Sequence, residues 1–340
     1  MRYKKLVMII PPSPWLMSDR DQPVMGALYV SSWLKQYTNS EVQVCDLAGV
    51  PEEHWHIPVG DIYGVTGVTP NFPWMKKIID RLKEREPKKL VVVGGVHATV
   101  LPKHVLSATK ADVVVIGEGE ETMDDIMLGR PLDETPGIMT REFTTRTRKL
   151  IPVDIIPFPD RDSIDYYDYL VPQTYKYLGS EREGSIITSR GCPYKCSYCG
   201  SYKIHKGKVR FRKPNNVIRE LMEMKSKYGI GLCNFVDDTF TLKKDRVAEI
   251  CDGIKNLDIK WFFLTRVDRV DLELFKKMVG SNCISVTDGF ESGSNKVLKF
   301  MRKNTTVEQA YNAIRISKKA GLKIRGQLMV GIPGEEDEDV

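Results

Sequence analysis

Five short runs rich in Val and Ile, "KKLVMII", "VQVCDL", "DIYGVTGV", "KLVVVGG" and "ADVVVIG", recur from residue 4 to about residue 130 with helix-length stretches between them. Nearly continuous apolar runs of this length suit strands of a parallel sheet buried on both faces by helices. The intervening stretches agree: Val24, Leu28, Trp33 and Leu34 in "QPVMGALYVSSWLKQY", and Trp74, Ile78, Ile79 and Leu82 in "FPWMKKIIDRLKER", fall at near-helical spacing. The pattern predicts an α/β fold, with a doubly wound domain of the Rossmann or flavodoxin type over residues 1–135.

Sheets of this kind bind ligands beyond the carboxyl ends of their strands. Those ends read "PPSP" (11–14), "TGVT" (66–69), "GGVHAT" (94–99) and "GEGEET" (117–122). Ser13, Thr66, Gly67, Gly94, Gly95, His97, Gly117 and Gly119 therefore gather along one rim, where small residues and hydroxyls admit a ligand close to the backbone. The plain alternative is that the glycines only turn strand into helix.

From residue 131 the rhythm is lost, and prolines and aromatics without periodicity mark 136–180 as a linker. Strand-like runs then return over 181–340: "GSIITSRG", "GLCNFVDDTF", "KWFFLTRVD", "CISVTDGFESGS" and "KIRGQLMVGIPGE". Helical stretches separate them, one opening with Thr306 and Gln309 at capping-box spacing. Such units predict a (β/α) barrel or part of one, with chemistry on the loops after the strands.

At 340 residues and 41% apolar composition, the chain can bury two cores. Its 51 Lys and Arg against 45 Asp and Glu neither demand nor exclude a nucleic-acid partner. The opening "MRYKKLVMIIPPSP" holds too short an apolar run for a signal peptide, and no window approaches the roughly 18 apolar residues of a membrane helix. A cytoplasmic location is the expectation, and there seven cysteines argue against a disulfide framework.

Three of those cysteines, Cys192, Cys196 and Cys199, crowd into "SRGCPYKCSYCG" (189–200). A helix would align them in one buried stripe. Gly191 and Pro193 beside the first, and the polar residues between them, favour a loop wrapped around a metal centre. Two soft-ligand centres fit. Zinc needs a fourth ligand, which His205 supplies only at an unusual spacing, while Cys233, Cys251 and Cys283 lie in other predicted elements. A 4Fe–4S cluster held by three cysteines keeps one iron open for a substrate or cofactor. On the zinc alternative the chain is a metal-stabilised, non-catalytic binding protein.

CxxxCxxC with an aromatic before the last cysteine, at the end of a first barrel strand, resembles the radical S-adenosylmethionine (SAM) superfamily. The order of a doubly wound domain, "PFPDRD", "SIITSRGCPYKCSYC", "FRKPNNVIREL", "FVDDTF", "GFESGS" and "MVGIPGE" is similar to the subgroup with an N-terminal cobalamin-binding domain. The resemblance implies a cluster on Cys192, Cys196 and Cys199 whose open iron binds SAM, and an electron that breaks a carbon–sulfur bond to give a 5′-deoxyadenosyl radical. It implies that Tyr198, Asp237, Asp238, Arg266, Glu291, Ser292, Val330 and Gly331 border SAM, and that the rim residues border cobalamin. The plain alternatives are helix capping for the aspartates, a surface ion pair for Arg266 and a tight turn for "GIPGE". No Asp-x-His-x-x-Gly loop is present, so His97 is a candidate cofactor contact and not a cobalt ligand, with Trp15 and Trp74 on rim loops as candidates for the lower face.

Five strands are counted where the superfamily usually has six units, so a truncated form, a completing partner or an open barrel is expected. Methyl transfer to an unactivated carbon or phosphorus of a small-molecule or peptide substrate is the reaction implied. The alternative is cyclisation or rearrangement with an empty N-terminal domain. A tRNA methylthiotransferase is disfavoured, because Cys45 alone cannot hold a second cluster there. The run "YKIHKGKVRFRK", with Lys203, Lys206, Lys208, Arg210, Arg212 and Lys213, is either a solvated face or the dock for an acidic flavodoxin or ferredoxin, and nucleic acid is not favoured.

Overall fold

In the computed structural model, which describes residues 2–171, 178–179 and 181–339, each of the five early Val and Ile runs is a strand: β1 (Lys5–Ile10), β2 (Glu41–Asp46), β3 (Ile62–Thr66), β4 (Leu90–Gly94) and β5 (Val113–Val115). All pair in parallel, in the order β2-β1-β3-β4-β5, which is the flavodoxin-like order. Leu6, Val7, Ile9, Ile62, Tyr63, Val91 and Val93 are fully enclosed, as strands covered on both faces must be. The order reverses between β1 and β3, so the loop after β1, which carries Ser13, and the loop after β3, a strand that ends at Thr66, leave the sheet side by side.

The helix Phe72–Arg85 turns Met75, Ile78, Ile79 and Leu82 into the core. Trp74 belongs to the first turn of this helix and is half-buried, which corrects its placement on a rim loop. Proline at the second helical position starts the helix two residues ahead of the tryptophan, where the missing N–H costs nothing.

The chain divides into two compact units, Met1–Tyr169 and Leu170–Val340. Within the segment read as a linker, Ile138–Met139 form β6, antiparallel to β5. Asp160 N donates to Leu28 O at 3.1 Å, and Tyr169 Oη donates to Asp46 at 2.7 Å, so much of that segment packs on the first unit. These contacts join residues far apart in sequence and leave no periodic trace. Residues 172–177 and 180 of that segment lie outside the described residues.

The second unit contains β7 (Glu183–Ile186), β8 (Ser189–Arg190), β9 (Arg210–Phe211), β10 (Leu232–Phe235), β11 (Lys260–Arg266), β12 (Cys283–Glu291) and β13 (Lys323–Leu328). Five of these form an open parallel sheet in the order β13-β12-β11-β10-β7, the five strands read from the sequence. An aromatic layer joins this sheet to a helix. Trp261 lies 5.0 Å from Phe235 and 5.9 Å from Phe263 between ring centroids, and Phe263 lies 5.6 Å from Phe275 of the helix Leu272–Val279. The capping box forms as its spacing predicts, Gln309 N donating to Thr306 Oγ1 and Thr306 N to Gln309 Oε1.

The run "GSIITSRG" does not stay one strand. It breaks after Ile186, and β8 pairs antiparallel with β9. No helix of the described residues is long and apolar enough to cross a membrane.

Candidate functional site

The cysteine loop leaves β8 through Gly191, whose φ of +100° and whose position would put any Cβ 2.2 Å from Lys208 O. Only glycine fits this close approach. No helix covers the three cysteines, and the helix Ser201–His205 starts after them, so the loop reading holds over the helical stripe. Cys192 and Cys196 are half-buried and Cys199 is exposed. Burial pushes the Cys192 thiol up, so its thiolate needs a cationic partner.

Arg266, at the end of β11, supplies a cation. Its Nη1 donates to Cys196 Sγ at 3.6 Å, and its guanidinium sits 3.6 Å from the centroid of Tyr194. Asp268 pairs with the same guanidinium at 2.9 Å, and Lys303 O accepts from it at 2.7 Å. Tyr198 Oη donates to Glu291 Oε1 at 3.0 Å, and the same oxygen receives Lys303 Nζ at 2.6 Å. Tyr198, Arg266 and Glu291 are thereby brought around one loop.

Asp237 and Asp238 follow β10 but differ in use. Asp237 is buried and accepts from Thr188 N, Thr188 Oγ1 and Ser189 Oγ, each at 2.6 Å. Burial pushes its carboxyl up against the pull of those hydrogen bonds. It fastens the strand break that launches the cysteine loop. Asp238 is exposed and accepts from Ser201 Oγ at 2.6 Å, just beyond Cys199. Ser292 is buried, its Oγ accepting from Ser294 N at 3.0 Å. Met329 N donates to Glu291 O at 2.8 Å, so the turn bearing Val330 and Gly331 begins beside Glu291. Val330 itself is 74% exposed, and Gly331 N donates to Glu335.

Sequence reasoning missed Lys303. A lone lysine in "MRKNTT" carries no periodic signal, yet it is only 4% exposed. It also took Arg212 for a surface charge. Arg212 is buried, pairing with the enclosed Glu220 at 2.5 Å and donating to Ile187 O at 2.7 Å. Lys203, Lys206, Lys208 and Lys213 are exposed.

Along the rim of the first unit, Asn71 Nδ2 donates to Pro12 O at 2.8 Å and to Ser13 Oγ at 2.9 Å, tying the loops after β1 and β3 together. Gly95, at φ +90°, brings the end of β4 so near β3 that a Cβ would lie 2.6 Å from Thr66 Oγ1. Gly117 N donates to Thr99 Oγ1 at 3.0 Å, with open space on its side-chain position. His97 is buried, its Nδ1 lies 3.1 Å from Thr69 Oγ1, and its Nε2 has no hydrogen-bond partner. Burial, then the neighbouring His104, pull the His97 pKa down, so the ring is neutral at pH 7. Trp15 is 47% exposed.

These residues fit the groups the motifs point to. An orphaned imidazole nitrogen and open backbone on the rim suit a large polar ligand, since a buried polar atom ordinarily finds a partner. Three thiols on a loop suit an iron–sulfur cube, whose ligands go to separate irons. A zinc ion needs its ligands to converge on one point, and among the described residues no three His, Cys, Asp or Glu side chains do so.

Comparison with known proteins agrees. The family model of the radical SAM superfamily matches residues 186–340, and that of the B12 binding domain matches 18–127. Over 100% of its length the chain is 31% identical to an uncharacterized methyltransferase of Pyrococcus horikoshii, 77% of which it covers. Over 82% of its length it is 28% identical to the anaerobic magnesium-protoporphyrin IX monomethyl ester cyclase of Rubrivivax gelatinosus, and it spans 52% of that relative. The solved radical SAM methyltransferase TsrM of Kitasatospora setae, with cobalamin and a 4Fe–4S cluster bound, shares the fold with a TM-score of 0.78 at 18% identity, over 100% of this chain and 71% of that one. With a B12 binding domain ahead of its three-cysteine domain, the chain belongs to the radical SAM superfamily, in the group whose cofactors are a 4Fe–4S cluster, SAM and cobalamin.

Proposed function

We propose that the chain is a cobalamin-dependent radical SAM methyltransferase acting on an unactivated carbon or phosphorus of a small-molecule or peptide substrate. The carrying observation is the loop of Cys192, Cys196 and Cys199, with Arg266 against Cys196 and no fourth cysteine beside it, in a chain that also holds a B12 binding domain. When bound, the cluster and SAM supply a 5′-deoxyadenosyl radical and cobalamin carries the methyl group.

On this reading residues 1–135 bind cobalamin, 136–180 join the domains and 181–340 are the radical SAM core. Ser13, Thr66, Gly67, Gly94, Gly95, Gly117 and Gly119 admit the cobalamin to the rim, and His97 offers it Nε2. Tyr198, Asp238, Arg266, Glu291 and Ser292 border SAM. Asp237 acts from behind, holding the launch of the loop, and Val330 and Gly331 complete the border. The open edge of β13 takes a further strand, from this chain or from a partner.

Oxygen-free reconstitution tests the reading. The expected protein holds four irons per chain, retains cobalamin, forms 5′-deoxyadenosine and moves a labelled methyl group from SAM to product. Radical formation without labelled product favours cyclisation or rearrangement, the direction suggested by the relative named as a cyclase. Colourless, iron-free protein after every attempt at loading defeats both.

The exposed Lys203, Lys206, Lys208 and Lys213 suit an acidic flavodoxin or ferredoxin. Changing Lys203, Lys206 and Lys208 together to Glu is expected to slow cluster reduction by such a carrier about tenfold, with wild-type rates falling as salt rises. Stopped-flow rates independent of ionic strength would contradict docking there.

A further inference from the structure

Lys303 reaches two side chains that flank the cysteine loop, one with its backbone and one with its side chain. Its carbonyl accepts from Arg266 Nη2 at 2.7 Å, while Arg266 Nη1 donates to Cys196 Sγ at 3.6 Å. Its ammonium donates to Glu291 Oε1 at 2.6 Å, and Tyr198, two residues past Cys196, donates to that same oxygen at 3.0 Å. Two residues before Lys303, Met301 O accepts from Ser197 N at 2.8 Å and Ser197 Oγ at 3.1 Å. The turn from Met301 to Lys303 thus grips Cys196, Ser197 and Tyr198 together.

The surroundings are shaped for this grip. Lys303 is 4% exposed, between Arg302 and Asn304, whose φ values of +52° and +56° hold the turn tight. Glu291 is itself at φ +65°, where the pairing of β12 with β13 shifts register. Gly289 leaves room for the ion pair: a Cβ there would lie 2.5 Å from Glu291 Oε1 and 2.7 Å from Lys303 Nζ. Asp288 is fully buried with no hydrogen bond to either carboxyl oxygen, and Lys303 is the cation that acts on it.

We propose that Lys303 is a positioning residue for the cluster, holding Arg266 and Glu291 so that the loop around Cys196 is set before the cluster is reduced. The proposal rests on the reading of Cys192, Cys196 and Cys199 as cluster ligands. Lys303 acts through Arg266, Tyr198 and Glu291. Partners one step removed from a metal ligand commonly matter 10–100-fold, on the order of magnitude seen for outer-shell contacts.

The experiment compares the reconstituted full chain with Lys303→Met, which removes the cation, and Gly289→Ala, which keeps every charge and drives a methyl group into the ion pair. Circular dichroism checks folding, and iron content, the rate of iron loss to a chelator, the EPR signal of the reduced cluster and its midpoint potential are read. Both variants are expected to fold and load iron, to lose it about 10–100-fold faster and to show an altered EPR signal. Lys303→Met is also expected to shift the potential downward, because Glu291 then lacks its cation. Folded, loaded variants with wild-type iron retention, EPR signal and potential overturn the proposal. Failure of both to fold also overturns it, in favour of a purely structural ion pair. A wild-type chain that takes up no iron instead removes the cluster reading beneath it.

Discussion

Cys199→Ala is expected to bring bound iron to background and to abolish 5′-deoxyadenosine formation. A cube with three protein ligands has none to spare, and the other four cysteines all lie buried in other elements. Cys233 lies in β10, Cys251 in the helix Lys244–Ile254 and Cys283 in β12, and all three are buried. Cys45 is likewise buried, in β2, where its thiol donates to His56 O at 3.6 Å. Cys45→Ala should therefore leave iron content and turnover unchanged. Iron and sulfide analysis of the two variants, loaded side by side, reads the contrast. Retention of the cluster by Cys199→Ala would remove the basis of the proposed chemistry.

Asp288→Asn is expected to gain about 4 kcal/mol of stability relative to wild type between pH 4 and pH 8. Burial is the first cause: it raises the Asp288 carboxyl from 3.8 to about 7, against the smaller opposing pull of Lys303. Between those two values the folded chain keeps a proton that the unfolded chain has released. Folding is then opposed as pH rises, by roughly 1.4 kcal/mol per unit, and the loss is complete above about pH 7. Below 3.8 both states hold the proton and the penalty vanishes. Asparagine has no proton to lose, and any cost of burying its amide is the same at every pH. Denaturant melts of both chains across this range isolate the slope. A stability difference that does not change with pH would show that Asp288 is ionised in both states.

Much of the frame was legible before any coordinates. Val and Ile runs specify buried parallel strands because a strand enclosed on both faces has no polar side to show, and the five early runs all became such strands; the five later runs also became parallel strands, although β13, at the sheet edge, is largely exposed. The capping box at Thr306 was equally readable, since its two partners stand three residues apart. The loop conformation of the cysteine segment was legible for the same reason: its three cysteines are close in sequence and its breakers, Gly191 and Pro193, are local.

What escaped was decided at long range. Asp237 looked like a ligand contact and proved to be clasped by Thr188 and Ser189, about fifty residues away in sequence. Arg212 looked like one charge of an exposed basic run, a solvated face or a dock, and proved to be the buried partner of Glu220. The β8-β9 hairpin and the β6 edge are pairs too short to carry a period. Lys303 gained its place only when β12 and the turn after the helix Asn295–Phe300 brought it against Glu291 and Arg266.

The sequence by itself determined the two sheets and the three thiols, because periodicity and ligand spacing act between near neighbours. Only the tertiary structure decided which charges are buried and what each one holds, because burial and ion pairing depend on which distant segments meet.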